Sequence, residues 1–350
     1  MAGGLVLLTG GTGFLGYAIL LDLLKSGYRV RVAARSQAKI DAIRASPKIS
    51  ALDPANTHLI FVIVPDMIAT GAYDDAVQGV DFIIHAAAPV HADGDGSKEQ
   101  LEDTFVTTSV KGNLEILKSA KEKGKTVRRI IMTSSTVAIA PADVYIANTK
   151  EREIVRGPES RVATPAPPYD SELRAYCVGK AASLNAAEAF MRENATTFDM
   201  ISIMPSWIFG KDELVTNASA MRTSSTHVLV NGLITGNQGE GAIGNAVLCA
   251  DVARAHVRAL DADIEGTQSF VLNVEVRWEN TIPIAKKHFP EAFESGLFRE
   301  GSPQSTYPVK WDSSKARDVL GIDLASYDAM VKEVVGQYLE LANNERMNET

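Results

Sequence analysis

A cluster of glycines set between an apolar run and a helical pattern constrains this chain more than any other feature. Leu5-Val6-Leu7-Leu8 is a short apolar stretch, and Thr9-Gly10-Gly11-Thr12-Gly13-Phe14-Leu15-Gly16 follows at once. Tyr17-Ala18-Ile19-Leu20-Leu21-Asp22-Leu23-Leu24-Lys25 then spaces its apolar residues as a helix does. The order is buried strand, tight turn, helix. A dinucleotide pyrophosphate needs that order: glycines let the backbone turn sharply and come close, and the helix start offers free N–H groups and a partial positive charge. Gly16 would let the helix pack closely on the strand. A glycine-rich turn by itself is also an ordinary β–α loop. Here it follows a strand, opens a helix and precedes a second strand at 28–35, the context a nucleotide site requires. Thr9, Gly10, Gly13, Phe14, Leu15 and Gly16 are therefore the expected phosphate-binding turn.

The end of the second strand selects the cofactor. NAD sites usually place an acid there for the ribose 2′-hydroxyl. This chain has Arg35-Ser36-Gln37-Ala38-Lys39, with no acid anywhere from 29 to 40. Arg35 can fork onto a 2′-phosphate, and Lys39 adds a second cation one helical turn on. The expected cofactor is NADPH/NADP+, although two solvated surface cations would read the same way.

Composition excludes other classes. The net charge of −8 argues against nucleic acid or an anionic membrane as a main partner. The two cysteines, Cys177 and Cys249, make neither a disulfide framework nor a metal spacing, which suits a reducing compartment. No apolar run approaches a membrane span, and the N-terminus lacks a basic leader, so the expected location is the cytoplasm. At 350 residues the chain forms one large domain or a main domain with a smaller companion.

Further strands are expected at 57–64, 80–89, 129–135 and 198–205, with helical patterns between them at 98–123 and 171–194. Strands this apolar, separated by helices, indicate a doubly wound parallel sheet covered on both faces, an α/β fold. The segments 140–170 and 214–244 read as irregular, the second with a short helix. Helices are expected at 250–260, 282–289, 313–320 and 326–342, with a strand near 270–274. Ligands of such sheets lie beyond the carboxyl ends of the strands. The glycine turn, Arg35, Asp66, Met67, Ala86, Ala87, Ala88, Thr133 and Ser135 all fall at such ends. Asp66 could accept the adenine amino group or cap a helix, and both readings stay open.

Tyr176-Cys177-Val178-Gly179-Lys180 follows the proline-rich stretch, and residues four apart share a helix face. A free phenol has a pKa of about 10, and a nearby ammonium together with an oxidised nicotinamide would lower it. Tyr176 could then protonate a carbonyl oxygen, or deprotonate an alcohol in reverse. Lys180 would hold ribose hydroxyls, and the Ser135 hydroxyl would donate to the same carbonyl oxygen. A Tyr-x-x-x-Lys by itself is more often a surface pair. Behind a nucleotide turn and a hydroxyl-tipped strand it reads as catalytic.

At these residues the chain resembles the extended short-chain dehydrogenase/reductases. It is most similar to the dihydroflavonol 4-reductase group, and within it to fungal methylglyoxal- and ketone-reducing members. Further segments carry the resemblance: Val64-Pro65-Asp66, His85-Ala86-Ala87-Ala88-Pro89, Val110-Lys111-Gly112, Pro205-Ser206-Trp207-Ile208-Phe209-Gly210 and Asp251-Val252-Ala253-Arg254-Ala255-His256. The resemblance implies a Rossmann domain over 1–204, to which 245–263 returns, and a smaller mixed α+β substrate domain over 205–244 and 264–350. It implies NADPH held by the glycine turn, Arg35, Lys39, Tyr176 and Lys180, with the segment from Pro205 through Trp207 and Ile208 against the nicotinamide. It also implies that Ser135 rather than Ser134 is the catalytic serine. Three departures bear on the pocket: Lys211 stands where a proline is usual, Ala250 where a basic residue is common, and Leu248-Cys249 is atypical.

The expected activity is reduction of a ketone or aldehyde, with the pocket formed by 88–93, 137–140, 205–210 and the irregular region up to 244. Few charges fall there, so a neutral, apolar carbonyl compound is the expected substrate. An epimerase or dehydratase of the same fold, or a non-catalytic NADP(H) sensor, are the alternatives, and the chain could be a monomer or a homodimer. Trp207 is either a pocket wall or core. His85, His91, His227, His256 and His288 are scattered, show no metal spacing and read as structural, and Asp93 and Asp95 read as solvated.

Overall fold

The computed structural model describes residues 3–348 except 56, 90–96, 148, 225, 238, 262 and 303. His91, Asp93, Asp95 and the 90–93 part of the expected pocket lie outside the described residues.

The strands are β1 (Leu5–Thr9), β2 (Arg29–Ala34), β3 (Leu59–Ile63), β4 (Phe82–His85), β5 (Arg129–Thr133), β6 (Asp199–Pro205), β7 (Ile208–Phe209), β8 (Ala242–Ile243), β9 (Asn245–Leu248), β10 (Gln268–Leu272), β11 (Val274–Glu275) and β12 (Thr306–Tyr307). Seven of them form one sheet in the order β10-β6-β5-β4-β1-β2-β3. Every pairing within it is parallel. The chain winds outward from β1 to β3, then returns to lay β4 on the other side of β1, with Thr9 opposite His85. The crevice where the winding reverses is the place such sheets bind ligands.

The helices α1 (Phe14–Lys25), α2 (Gln37–Arg44), α3 (Pro47–Leu52), α4 (Lys98–Leu101), α5 (Thr108–Lys123), α6 (Asp143–Ile146) and α7 (Glu172–Glu193) connect the first six strands. They are followed by α8 (Ala218–Met221), α9 (His227–Thr235), α10 (Cys249–Arg258), α11 (Thr281–His288), α12 (Pro290–Glu294), α13 (Ser314–Leu320) and α14 (Tyr327–Asn348). Successive strand residues point to opposite faces, so β1 feeds two cores. Val6 and Leu8 meet α1, α10 and α13 through Leu20, Leu23, Val252 and Leu320. Leu7 meets α5 and α7 through Ile116, Leu117 and Ala187. Burying both faces explains why the strands read as continuous apolar runs.

A third core lies outside the seven-stranded sheet. Phe209, Leu229, Leu233, Trp278, Met330, Val331 and Val334 pack there, beneath the short sheet β11-β9-β7. Residues 268–272, which the resemblance puts with the smaller unit, form the edge strand β10 beside β6. Their sequence Gln268-Ser269-Phe270-Val271-Leu272 is as apolar as the strand it pairs with, and Phe270 and Leu272 complete the core that α1 covers.

Two local differences from the sequence reading matter. The single helix expected at 98–123 contains a π-helical stretch, Glu102–Thr107, between α4 and α5. The segment 214–244 is more regular than expected: it holds both α8 and α9 and ends in β8.

Candidate active site

The glycine turn closes on the strand ends. Gly10 has φ +72°, and a Cβ on it would lie 2.7 Å from the Ala86 carbonyl carbon and the Ala87 nitrogen. A Cβ on Gly16 would lie 2.0 Å from the Gly10 carbonyl oxygen. Both positions therefore exclude any side chain. Gly13 is the residue before α1, has no side chain to cap the helix, and no acid occupies the first turn. The start of α1 thus presents unused N–H donors and its positive dipole end. Thr9 holds the neighbouring strand end in place: its hydroxyl accepts the Ala87 N–H at 3.2 Å and meets His85 Nδ1 at 2.9 Å. Burial drives His85 down to about 3, with the Lys180 charge adding to the effect, so the ring is neutral. This is the structural role the sequence suggested for it.

Arg35 and Lys39 are exposed, at the end of β2 and in the first turn of α2. Asp66 is exposed, and its Oδ1 accepts the Ile68 N–H at 3.0 Å, so it caps the turn after β3 and leaves Oδ2 free. Met67 lies over α5, where a Cβ on Gly112 would come within 2.3 Å of its methyl carbon. Ala86, Ala87 and Ala88 are half-buried.

Tyr176 and Lys180 sit on α7, which the Ser171 hydroxyl caps by accepting the Arg174 N–H at 3.3 Å. Between them Gly179 touches the π-helical stretch, where a Cβ would come within 2.1 Å of the Phe105 carbonyl oxygen. The Phe105 ring meets the Tyr176 ring edge to face at 6.1 Å. The π-turn and the glycine together seat the phenol. No sequence periodicity announces such a turn, and Gly179 is its only trace.

Burial pushes Tyr176 up to about 12; the neighbouring Cys177 adds to this, and the Ser135 hydroxyl opposes it. The sequence reading has Lys180 making this phenol more acidic. Burial outweighs any such effect here, and the Lys180 ammonium is aimed elsewhere, at the Thr133 main-chain oxygen 3.5 Å away. Lys180 is itself 8% exposed, and burial lowers it to about 8. Ser135 donates to the Pro205 carbonyl at 3.3 Å and accepts the Val137 N–H at 3.3 Å. The Ser134 hydroxyl is buried with no hydrogen-bond partner among the described residues. The geometry thus brings Ser135, Tyr176, Lys180, Thr133 and Pro205 together beyond the ends of β5 and β6.

Trp207 is 39% exposed and two residues beyond Pro205. Its ring packs on Phe209 at 5.2 Å and on Trp278 at 5.8 Å. With Trp278, Val228, Leu229, Thr281 and Gln304 it lines a cavity of about 160 Å³, so it is a cavity wall that leans on the core rather than part of it. Trp278, Thr281 and Gln304 lie beyond the segments in which the sequence reading sought the pocket. Val137 is buried, Ala138, Ile139 and Ala140 are buried in small apolar clusters, and none of the four lines this cavity. The departure at Lys211 has a physical reason. Its N–H donates to the Glu333 carboxylate at 2.7 Å, a bond a proline could not make, and its ammonium pairs with Glu340 at 3.4 Å. Cys249 is buried against Gly210, and Ala250 is exposed in the first turn of α10.

Residues 6–274 match the model of the NAD dependent epimerase/dehydratase family. The chain belongs to that family. Among its curated members, Ketoreductase CTB6 of Cercospora nicotianae is 35% identical over 353 residues, covering 97% of this chain and 96% of the relative. NAD-dependent epimerase/dehydratase ALT6 of Alternaria alternata is 33% identical over 364 residues, covering 97% of this chain and 98% of the relative. Among solved structures, Gre2 from Candida albicans in complex with NADPH superposes with a TM-score of 0.79 at 21% identity, over 96% of this chain and 99% of that one. Vestitone reductase from alfalfa superposes with a TM-score of 0.70 at 22% identity, over 96% of this chain and 98% of that one. These two likenesses establish the fold. Within the family, the fungal ketone reductases that the sequence resembles are represented among the relatives themselves.

Proposed function

We propose that this chain is an NADPH-dependent carbonyl reductase that converts a ketone or aldehyde to an alcohol. The observation that carries the reading is the convergence of Ser135, Tyr176 and Lys180 at the strand ends that a side-chain-free glycine turn adjoins. The turn fits a pyrophosphate on two counts: the space at Gly10 and Gly16 is closed to any Cβ, and the start of α1 is uncapped. Arg35 and Lys39 would hold the 2′-phosphate, and Asp66 would accept the adenine amino group. Ala86, Ala87 and Ala88 would leave room above β4 for the cofactor, and Pro205, Trp207 and Ile208 are the residues that would receive its nicotinamide.

Bound NADPH supplies the hydride. Tyr176 supplies the proton: a phenol held near 12 is fully protonated at neutral pH, which suits a general acid in the reductive direction. Ser135 releases its hydroxyl from the Pro205 carbonyl to donate to the substrate oxygen. Lys180 keeps its cation near the site and favours the phenolate left after proton transfer. The cavity beside Trp207 takes the body of the substrate. Among the described residues its lining carries no charged side chain, which supports a neutral, largely apolar compound.

The family also contains epimerases and dehydratases, and a relative bearing that name matches this chain end to end. Such enzymes carry the same cofactor through a full cycle and return it unchanged. Arg35 and the absence of an acid beside it support a cofactor that is consumed and exchanged. The purified protein with NADPH and a panel of neutral ketones and aldehydes tests the choice. Stoichiometric loss of NADPH with alcohol formed supports the reductase, and product formed without net NADPH loss overturns it.

A further inference from the structure

Lys180 is held by a carbonyl, and that carbonyl belongs to a residue whose side chain is held from the far face of the sheet. His256 lies on α10, which packs against α1 on the face opposite α7. Its ring is fully buried. Nδ1 lies 2.8 Å from the Val252 carbonyl oxygen, one turn earlier in the same helix. A carbonyl only accepts, so Nδ1 carries the proton and Nε2 is a bare acceptor. Nε2 lies 2.8 Å from the Thr133 hydroxyl, which must therefore donate to it. Burial lowers His256 to about 4, so the neutral ring and this bond direction persist at neutral pH.

We propose that His256 is a positioning residue for the reduction. By accepting the Thr133 hydroxyl it fixes the last residue of β5 so that the Thr133 carbonyl meets the Lys180 ammonium on the other face. Thr133 is β-branched and stiff about χ1, so anchoring its hydroxyl also anchors its backbone. The next residues, Ser134 and Ser135, continue from that anchor, and Ser134 N–H donates to the Ile203 carbonyl at 2.7 Å. The proposal rests on the assignment of Lys180 to the catalytic machinery.

Steady-state kinetics of five variants test it. In His256→Phe the hydroxyl loses its acceptor, and kcat falls about tenfold while the carbonyl KM stays within about twofold. In His256→Gln the side-chain oxygen can accept the same hydroxyl, and kcat returns to within about threefold of wild type. Thr133→Val alone lowers kcat about tenfold, and His256→Phe combined with Thr133→Val is no worse than either single change, because both remove one bond. A wild-type kcat in folded His256→Phe, a Gln variant no better than Phe, or additive losses in the double variant each overturn the proposal. If His256→Phe does not fold, Thr133→Val decides: wild-type kcat there overturns it. Lys180→Met separates the two levels. If Lys180→Met turns over like wild type, the assignment of Lys180 falls and the proposal with it. If Lys180→Met is impaired while Thr133→Val is not, only the proposal falls.

Discussion

We propose that Arg35 carries the choice of cofactor. It is exposed at a strand end, in a segment without an acid, so a 2′-phosphate would be its natural counter-charge. Replacing it with an acid, Arg35→Glu, should weaken NADPH binding by about 2 kcal/mol, some thirtyfold, and leave NADH less affected, as fluorescence titration of each cofactor would show. Lys180 makes a prediction about pH. Its pKa of about 8 lies below the ordinary lysine value because burial opposes the charge. Between about 8 and about 10 the unfolded chain holds this proton and the folded chain does not, so in this group's contribution stability rises with pH across that window. Activity runs the other way, because the working form is the cation. The kcat/KM for reduction should fall as pH passes about 8, while Tyr176 stays protonated, and Lys180→Arg should move that limb upward.

Among the elements, α7 shows how packing sets chemistry. Gly179 costs its helix about 1 kcal/mol against alanine by intrinsic propensity. It persists because the Phe105 carbonyl, pushed out by the π-turn, would sit 2.1 Å from a Cβ. Overpacking of this kind costs about 1–3 kcal/mol, more than the propensity gain. Gly179→Ala should therefore lower the melting temperature and reduce kcat, since any relief moves Tyr176 or Lys180; a thermal melt with an initial-rate assay checks both. The strand-turn-helix at the N-terminus was legible because its glycines and its periodicity are local signals. So were the seven strands, whose apolar runs reflect burial on both faces in the inner strands such as β1 and β4. The π-turn was not, because it depends on a helix far along the chain. The same holds for the orientation of Lys180. Spacing puts it on the face of Tyr176, but only the packed β5 end shows that its ammonium reaches the Thr133 carbonyl.

At the level of the whole molecule, we propose two units that meet where the sheet ends. One holds the glycine turn and the Tyr-Lys helix, and the other supplies Trp278, Thr281 and Gln304 to a cavity that Trp207 shares. We propose that the boundary runs as the sequence suggested apart from β10, which the main sheet claims, and α13, whose Ala316 and Leu320 pack in the core beneath that sheet. Sequence patterns could not place Trp278 or Gln304 in that cavity, because neither belongs to a local motif and both arrive through tertiary packing. A cavity without charged walls offers a carboxylate nothing in exchange for its hydration. Small 2-oxo acids should accordingly show kcat/KM at least about tenfold below neutral ketones of similar size, a comparison that a substrate panel makes directly. The central claim is that the Tyr176 phenol donates the proton. Its most direct test is Tyr176→Phe, with NADPH affinity measured by titration and turnover measured on the best carbonyl substrate. The account predicts a cofactor Kd within about twofold of wild type and kcat lower by about a hundredfold or more; kcat within a few-fold of wild type, with cofactor bound, would contradict it.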